Sequence, residues 1–110
     1  MRQLRPADLD RWLRGAAAAE EADPLLLDVR EPWEVAIAGL PGSLNIPMGE
    51  VPARLGELAA GRPVVCICHH GVRSMHVARF LAMQGLDPIF NLAGGIDAWA
   101  REVDPNCPTY

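Results

Sequence analysis

The stretch Val64–Ser74, Val-Val-Cys-Ile-Cys-His-His-Gly-Val-Arg-Ser, is an apolar run that ends on a cysteine, with a helical pattern starting about six residues later. Cys68 therefore falls where a strand stops and a helix starts. A helix N-terminus carries unpaired backbone N–H groups and the positive end of the macrodipole, so an anion set against it is stabilised. Thiols in that position ionise well below the ordinary value of about 8.5, which makes them nucleophiles at neutral pH. Gly71 can take backbone angles closed to other residues, so the N–H groups of His69, His70, Gly71, Val72, Arg73 and Ser74 are candidates for a nest around the sulfur. Arg73 would add a permanent forked cation at the rim. Ser74 is a good opening residue for a helix over Met75–Gln84, in which Val77, Phe80 and Leu81 share a face and which Gly85 stops.

Two histidines follow the cysteine directly. Mostly neutral at pH 7, His69 and His70 would hold a dianion weakly, and better as pH falls toward about 6.5; as polar loop residues they equally need no role beyond solvation. Cys66, Cys68, His69 and His70 are soft-metal ligands by type. Structural zinc sites, however, use separated pairs rather than a cysteine in a strand followed by adjacent residues. No metal and no cofactor is expected. Cys66 reads as a small buried hydrophobe, and a disulfide from it to Cys68 would need distorted geometry.

The elements that must position this loop alternate along the chain. Pro6 opens a helix with Leu9, Trp12 and Leu13 on one stripe, and Gly15–Asp23 is an Ala/Glu-rich connection. Pro24 opens a strand over Leu25–Val29, whose lack of alternation points to cover on both faces. Asp28 interrupts it near its C-terminal end, where it can orient Arg30 and the following loop or simply cap the turn. Glu31–Ile37 reads as a short helix, Ser43–Ile46 as a strand and Glu50–Ala60 as a helix. Ile89–Leu92 is a further strand, and Gly94-Gly95 leads into a last helix through Trp99. A short edge strand near Arg2–Leu4 would complete an α/β domain with a mainly parallel sheet of four or five strands flanked by helices. Asp104–Tyr110, with two prolines, reads as a tail. Trp33, beside Pro32, either belongs to the core or covers its edge, as large aromatics at helical positions do, or forms a wall of the pocket.

One domain spans 1–110, with a core over about 4–100; 110 residues can bury a core but not two. Half the residues are hydrophobic, which fits a folded globular domain. The net charge of −4 argues against nucleic-acid or membrane partners, so any cationic site must be local. The apolar runs are too short to span a bilayer, and the three cysteines leave one unpaired in any disulfide scheme. A soluble protein of the reducing cytoplasm is the expectation.

Four stretches then resemble one family in its own order. Cys68–Ser74 resembles the Cys-x4-Arg-Ser loop of rhodanese-type sulfurtransferases. Asp28-Val29-Arg30-Glu31-Pro32-Trp33-Glu34 is similar to the family's Asp-x-Arg-x-x-x-Glu segment, Pro41–Pro47 to its Pro-Gly-Ala-x-Asn-Ile-Pro stretch, and Gly94–Trp99 to its Gly-Gly-x-x-x-Trp signature. Ala38-Gly39-Leu40 departs from the Gly-His-Ile triplet of many relatives. The resemblance implies a rhodanese-like three-layer fold, Cys68 as the catalytic residue, and Asp28 and Arg30 supporting its loop. It further implies a persulfide on Cys68, a small anionic sulfur donor such as thiosulfate, and a thiol, cyanide or protein acceptor. Cys107 would be an exposed thiol or one that resolves the persulfide. Cysteine phosphatases use a similar cradle with five residues between Cys and Arg. Here there are four, a ring better suited to a sulfur atom than to a phosphoryl group. A persulfide carrier or protein-interaction module, and a phosphatase or arsenate reductase, remain the other readings.

Overall fold

In a computed structural model that describes residues 1–15, 23–58 and 61–110, the chain runs β1 (Arg2–Leu4), α1 (Pro6–Leu13), β2 (Leu25–Asp28), α2 (Pro32–Ile37), β3 (Leu44–Asn45), β4 (Val64–Ile67), α3 (Val72–Met83), β5 (Ile89–Leu92) and α4 (Gly95–Glu102). Two 3-10 turns, Met48–Glu50 and Pro52–Glu57, lie between β3 and β4. All strand pairs are parallel and the order is β1-β5-β4-β2-β3. A parallel sheet needs cover on both faces, which explains the unbroken apolar runs. Leu27, Val64 and Cys66 turn to one face and meet Val77, Ala78 and Leu81 of α3. Leu26, Val65, Ile67 and Leu92 turn to the other and meet Leu9 and Trp12 of α1 with Ile96 and Trp99 of α4. The result is a three-layer α/β domain.

Strand order fixes where a ligand can sit. From β2 the chain moves outward to β3, then crosses back to β4 on the opposite side of β2 and continues to β5. The loops leaving β2 and β4 therefore diverge, opening a crevice at the carboxyl ends of these two strands. Arg30 leaves the first strand and Cys68 leaves the second.

Two helices differ from the expectation. The helix after Cys68 starts at Val72 rather than Met75, because Gly71 takes φ +97° and ends the loop three residues earlier. Ser74 thus lies inside the first turn, and its hydroxyl serves the site instead of a cap. Glu50–Ala60 is not one helix: the chain makes two 3-10 turns, Pro52 starts the second, and Arg54 leaves helical angles at φ −118°, ψ 21°. Residues 59–60 of that expected helix, and residues 16–22 of the Ala/Glu-rich connection, lie outside the described residues.

The Gly94-Gly95 pair connects α4 to the Cys68 loop. The N–H groups of Ile96 and Asp97, free because they open a helix, donate to the carbonyls of Cys68 (2.9 Å) and His69 (3.1 Å). This contact is so close that a Cβ on Gly95 would lie 2.4 Å from both the Cys68 and His69 carbonyl oxygens, at a backbone φ of +64°. Gly95→Ala is therefore expected to lower unfolding stability by about 2–4 kcal/mol, from overpacking against backbone plus left-handed strain. Urea unfolding checks this; a change within about 0.5 kcal/mol, as for an ordinary surface site, would contradict it.

Candidate active site

Cys68 lies just past β4, and its side chain packs in the cluster of Leu27, Val29, Ile46, Val51 and Val77, only 1% exposed. Burial alone would make it inert, but two donors face the sulfur. The Gly71 N–H lies 3.0 Å from Sγ and the Ser74 hydroxyl 3.2 Å away. The nest thus consists of one backbone N–H and one side-chain hydroxyl. The other loop carbonyls are drawn outward to α4, which is what turns the backbone this way. Cys66, two residues earlier and facing the same cluster, has its thiol pushed up to about 12 by burial and by the nearby Cys68. It is the inert thiol of the pair.

Around this loop runs a charge network that the sequence shows only in pieces. Asp28 and Arg30 are both fully buried. Asp28 Oδ1 accepts from the Arg30 backbone N–H at 3.1 Å and from Nε at 2.9 Å, and Oδ2 accepts from Nη2 at 2.6 Å, so the residue both caps the turn and orients the arginine. Arg30 also donates to the Ala38 carbonyl at 2.6 Å. Burial disfavours its charge, but the bonds to Asp28 and Tyr110 more than offset this and the guanidinium stays cationic. Asn45 donates to the carbonyls of Asp28 and Arg30, both at 2.9 Å, and holds the same turn.

Arg73 does not present a free fork at the rim. Its Nη1 and Nη2 donate to Glu34 Oε1 and Oε2 at 2.7 and 2.8 Å, a bidentate pair joining α3 to α2. Glu34 also completes a capping box with Glu31 at the start of α2. Tyr110 closes the network: its hydroxyl accepts from Arg30 Nη1 at 2.7 Å and donates to Glu34 Oε2 at 2.8 Å. Glu34 and Tyr110 were not assigned from sequence. Glu34 stands in a motif that could have marked it, whereas nothing in the proline-containing tail marks Tyr110.

The Tyr110 ring stacks on His69 at 3.9 Å and 7°, and His69 stacks on His70 at 4.0 Å and 26°. Burial, and then the neighbouring His70, push the His69 pKa down, so its ring is neutral at pH 7 and gains charge below the ordinary histidine range. The expected gain in cationic character near pH 6.5 is therefore moved to lower pH at this position. His69 Nε2 is buried without a hydrogen-bond partner. Among the described residues, His69, His70 and Asp97 bring possible ligand atoms within 4.8 Å of one another. One Asp97 oxygen is engaged by Arg101 at 3.1 Å. Trp33 is 63% exposed and meets the Tyr110 ring edge-on at 6.4 Å. Cys107 is half-buried on the other side of the sheet from Cys68, in the cluster that includes Val103 and Tyr110.

Fold and site together define an α/β domain with a single cysteine held at a strand-to-helix turn, at the switch point of a parallel sheet. A family model for the rhodanese-like domain matches residues 10–102, and the chain belongs to that family. It is 42% identical over 83 residues to a protein of Allochromatium vinosum named "Sulfurtransferase", covering 76% of this chain and 78% of that one. It is 40% identical to the rhodanese-like/PpiC domain-containing protein 12 of Arabidopsis thaliana, over 100% of this chain and 38% of that protein. In structure it is similar to a rhodanese-related protein of Thermoplasma volcanium, with TM-score 0.81, 32% identity and 94% of each chain covered. Among the described residues no helix is long and apolar enough to cross a membrane.

The network sets an acid limit. Hydrogen bonds from Arg73, assisted by Tyr110 and the Glu31 backbone, outweigh burial and hold the Glu34 carboxyl down from 4.5 to about 2. Its stabilisation is thus fully present above about pH 4.5 and is lost as pH falls through about 2. Glu34→Gln is expected to cost about 2–3 kcal/mol at neutral pH, with the gap to wild type closing between pH 4.5 and 2. Denaturant titrations across that range check it; a gap independent of pH would contradict the pairing.

Proposed function

We propose that the protein is a sulfurtransferase that carries sulfane sulfur on Cys68. The observation that carries this reading is a sulfur atom bonded by the Gly71 N–H and the Ser74 hydroxyl while Arg73 Nη1 and Nη2 are held by the Glu34 carboxylate. Phosphoryl transfer on such a loop needs that fork to clamp phosphate oxygens. A sulfur atom attached to a cysteine needs only donors at the sulfur. In the first half-reaction the Cys68 thiolate attacks the outer sulfur of thiosulfate or a related donor. The donor's S–S bond breaks, sulfite leaves with its electron pair, and a Cys68 persulfide remains. In the second, cyanide, a thiol or a protein acceptor attacks the outer sulfur and Cys68 leaves as thiolate. The two donors stabilise negative charge on sulfur at the start and end of the cycle.

The low exposure of Cys68 favours a second reading, in which a partner protein loads and unloads the sulfur and small donors react slowly. In either case the free thiols Cys66, Cys68 and Cys107 suit a reducing cytoplasm. Steady-state formation of thiocyanate from thiosulfate and cyanide tests the enzyme reading. Ping-pong turnover is expected, with Cys68→Ser lowering it by at least about 1000-fold, in the range set by loss of an activated nucleophile. Phosphatase turnover with no thiocyanate would overturn the assignment. Stoichiometric loading by a partner without turnover would select the carrier.

A further inference from the structure

Asn91 is buried in β5, directly opposite Cys66 of β4, and no part of the reaction above uses it. Its amide nitrogen lies 3.1 Å from the Gly71 carbonyl and 3.0 Å from Gln3 Oε1. A backbone carbonyl can only accept, so the nitrogen must face Gly71, and the amide oxygen must face Ser74. That oxygen forms a short bond with the Ser74 hydroxyl. Ser74 has a single proton, yet its oxygen also lies 3.2 Å from Cys68 Sγ. Two acceptors compete for one hydrogen. While the Ser74 hydroxyl donates to Asn91 Oδ1, its oxygen meets the sulfur as an acceptor and takes a bond from the Cys68 thiol.

We propose that Asn91 is a positioning residue for the Cys68 sulfur, donating to the Gly71 carbonyl through its amide nitrogen and accepting the Ser74 hydroxyl's hydrogen bond on its amide oxygen. When Cys68 ionises, its proton goes to solvent, and Ser74 must turn its own proton from Asn91 to sulfur. Asn91 Oδ1 is then left facing oxygen lone pairs without a hydrogen between them. The residue thereby holds the nest in shape and opposes formation of the anion until the sulfur carries enough charge to take the hydroxyl. Arg73 on α3 and Cys66 on β4 are ionisable groups coupled electrostatically to this sulfur, and the substitutions below leave both in place.

The proposal rests on Cys68 as the reactive sulfur, but its test reads the sulfur itself. A failure of sulfur transfer would remove the functional reading and leave this test standing. The measurement is the rate of iodoacetamide labelling of Cys68 against pH, located by fragment-ion mapping. Asn91→Leu removes the competing acceptor and is expected to lower the pH of half-maximal labelling by about one unit, the worth of one hydrogen bond to a charged group. Asn91→Asp keeps an acceptor, adds negative charge and is expected to raise it. In a Ser74→Ala background the Asn91→Leu shift is expected to vanish, because the effect passes through that hydroxyl. General loosening would move both variants in the same direction; that result, or a leucine shift that persists without Ser74, would overturn the proposal. If neither variant folds, the Asn91 side-chain amide signals of the wild-type protein decide. They are expected to move in step with the labelling profile, and to stay still across it if the proposal is wrong.

Discussion

A loop that turns even one N–H onto a buried sulfur has to find partners for the carbonyls it sends the other way. The rest of the domain depends on that constraint. The first N–H groups of α4 meet the carbonyls of Cys68 and His69, and the Asn91 amide meets the carbonyl of Gly71. Only glycine permits these approaches. At Gly95 a Cβ would enter the loop's carbonyl oxygens, and at Gly71, with φ +97°, it would lie 3.1 Å from the Gly94 nitrogen. The Gly-Gly step and the loop glycine are therefore one packing device, assembled from β4, β5 and α4.

The charge network serves the same loop from its other side. Asp28–Arg30 and Glu34–Arg73 are two pairs of opposite sign, so their burial leaves no uncompensated charge, and Tyr110 bonds one member of each. Removing one partner from such a set costs far more than the set contributes over an apolar replacement. Its contribution is best understood as geometry: it ties the loop after β2, helix α2, the start of α3 and the tail into one frame. A sulfur with few donors needs that frame, because small displacements at a reactive centre cost large factors in rate.

Much of this was legible in the sequence. The apolar runs gave the strands, and the alternation of elements gave the parallel α/β class with its fifth edge strand. A cysteine at the end of an apolar run, just before a helical pattern, singled out the Cys68 loop as the candidate site. What stayed hidden required partners distant in sequence. Arg73 reads as a rim cation until Glu34, on another helix, is seen to hold it. Asp104–Tyr110 reads as a tail until the Tyr110 ring is found against His69. Asn91 carried a usable signal, a polar residue near the carboxyl end of an apolar strand, the same mark that drew attention to Asp28. The helix over Glu50–Ala60 failed because apolar spacing cannot see that Pro52 and the Arg54 angles favour tighter turns.

The central claim is that this arrangement lets Cys68, and neither of the other thiols, hold a second sulfur atom. Peptide mass mapping of the protein after incubation with thiosulfate tests it most directly. The account predicts a gain of one sulfur atom on Cys68 that cyanide removes. A gain on Cys66 or Cys107 instead, or an equal gain in Cys68→Ser protein, would contradict it.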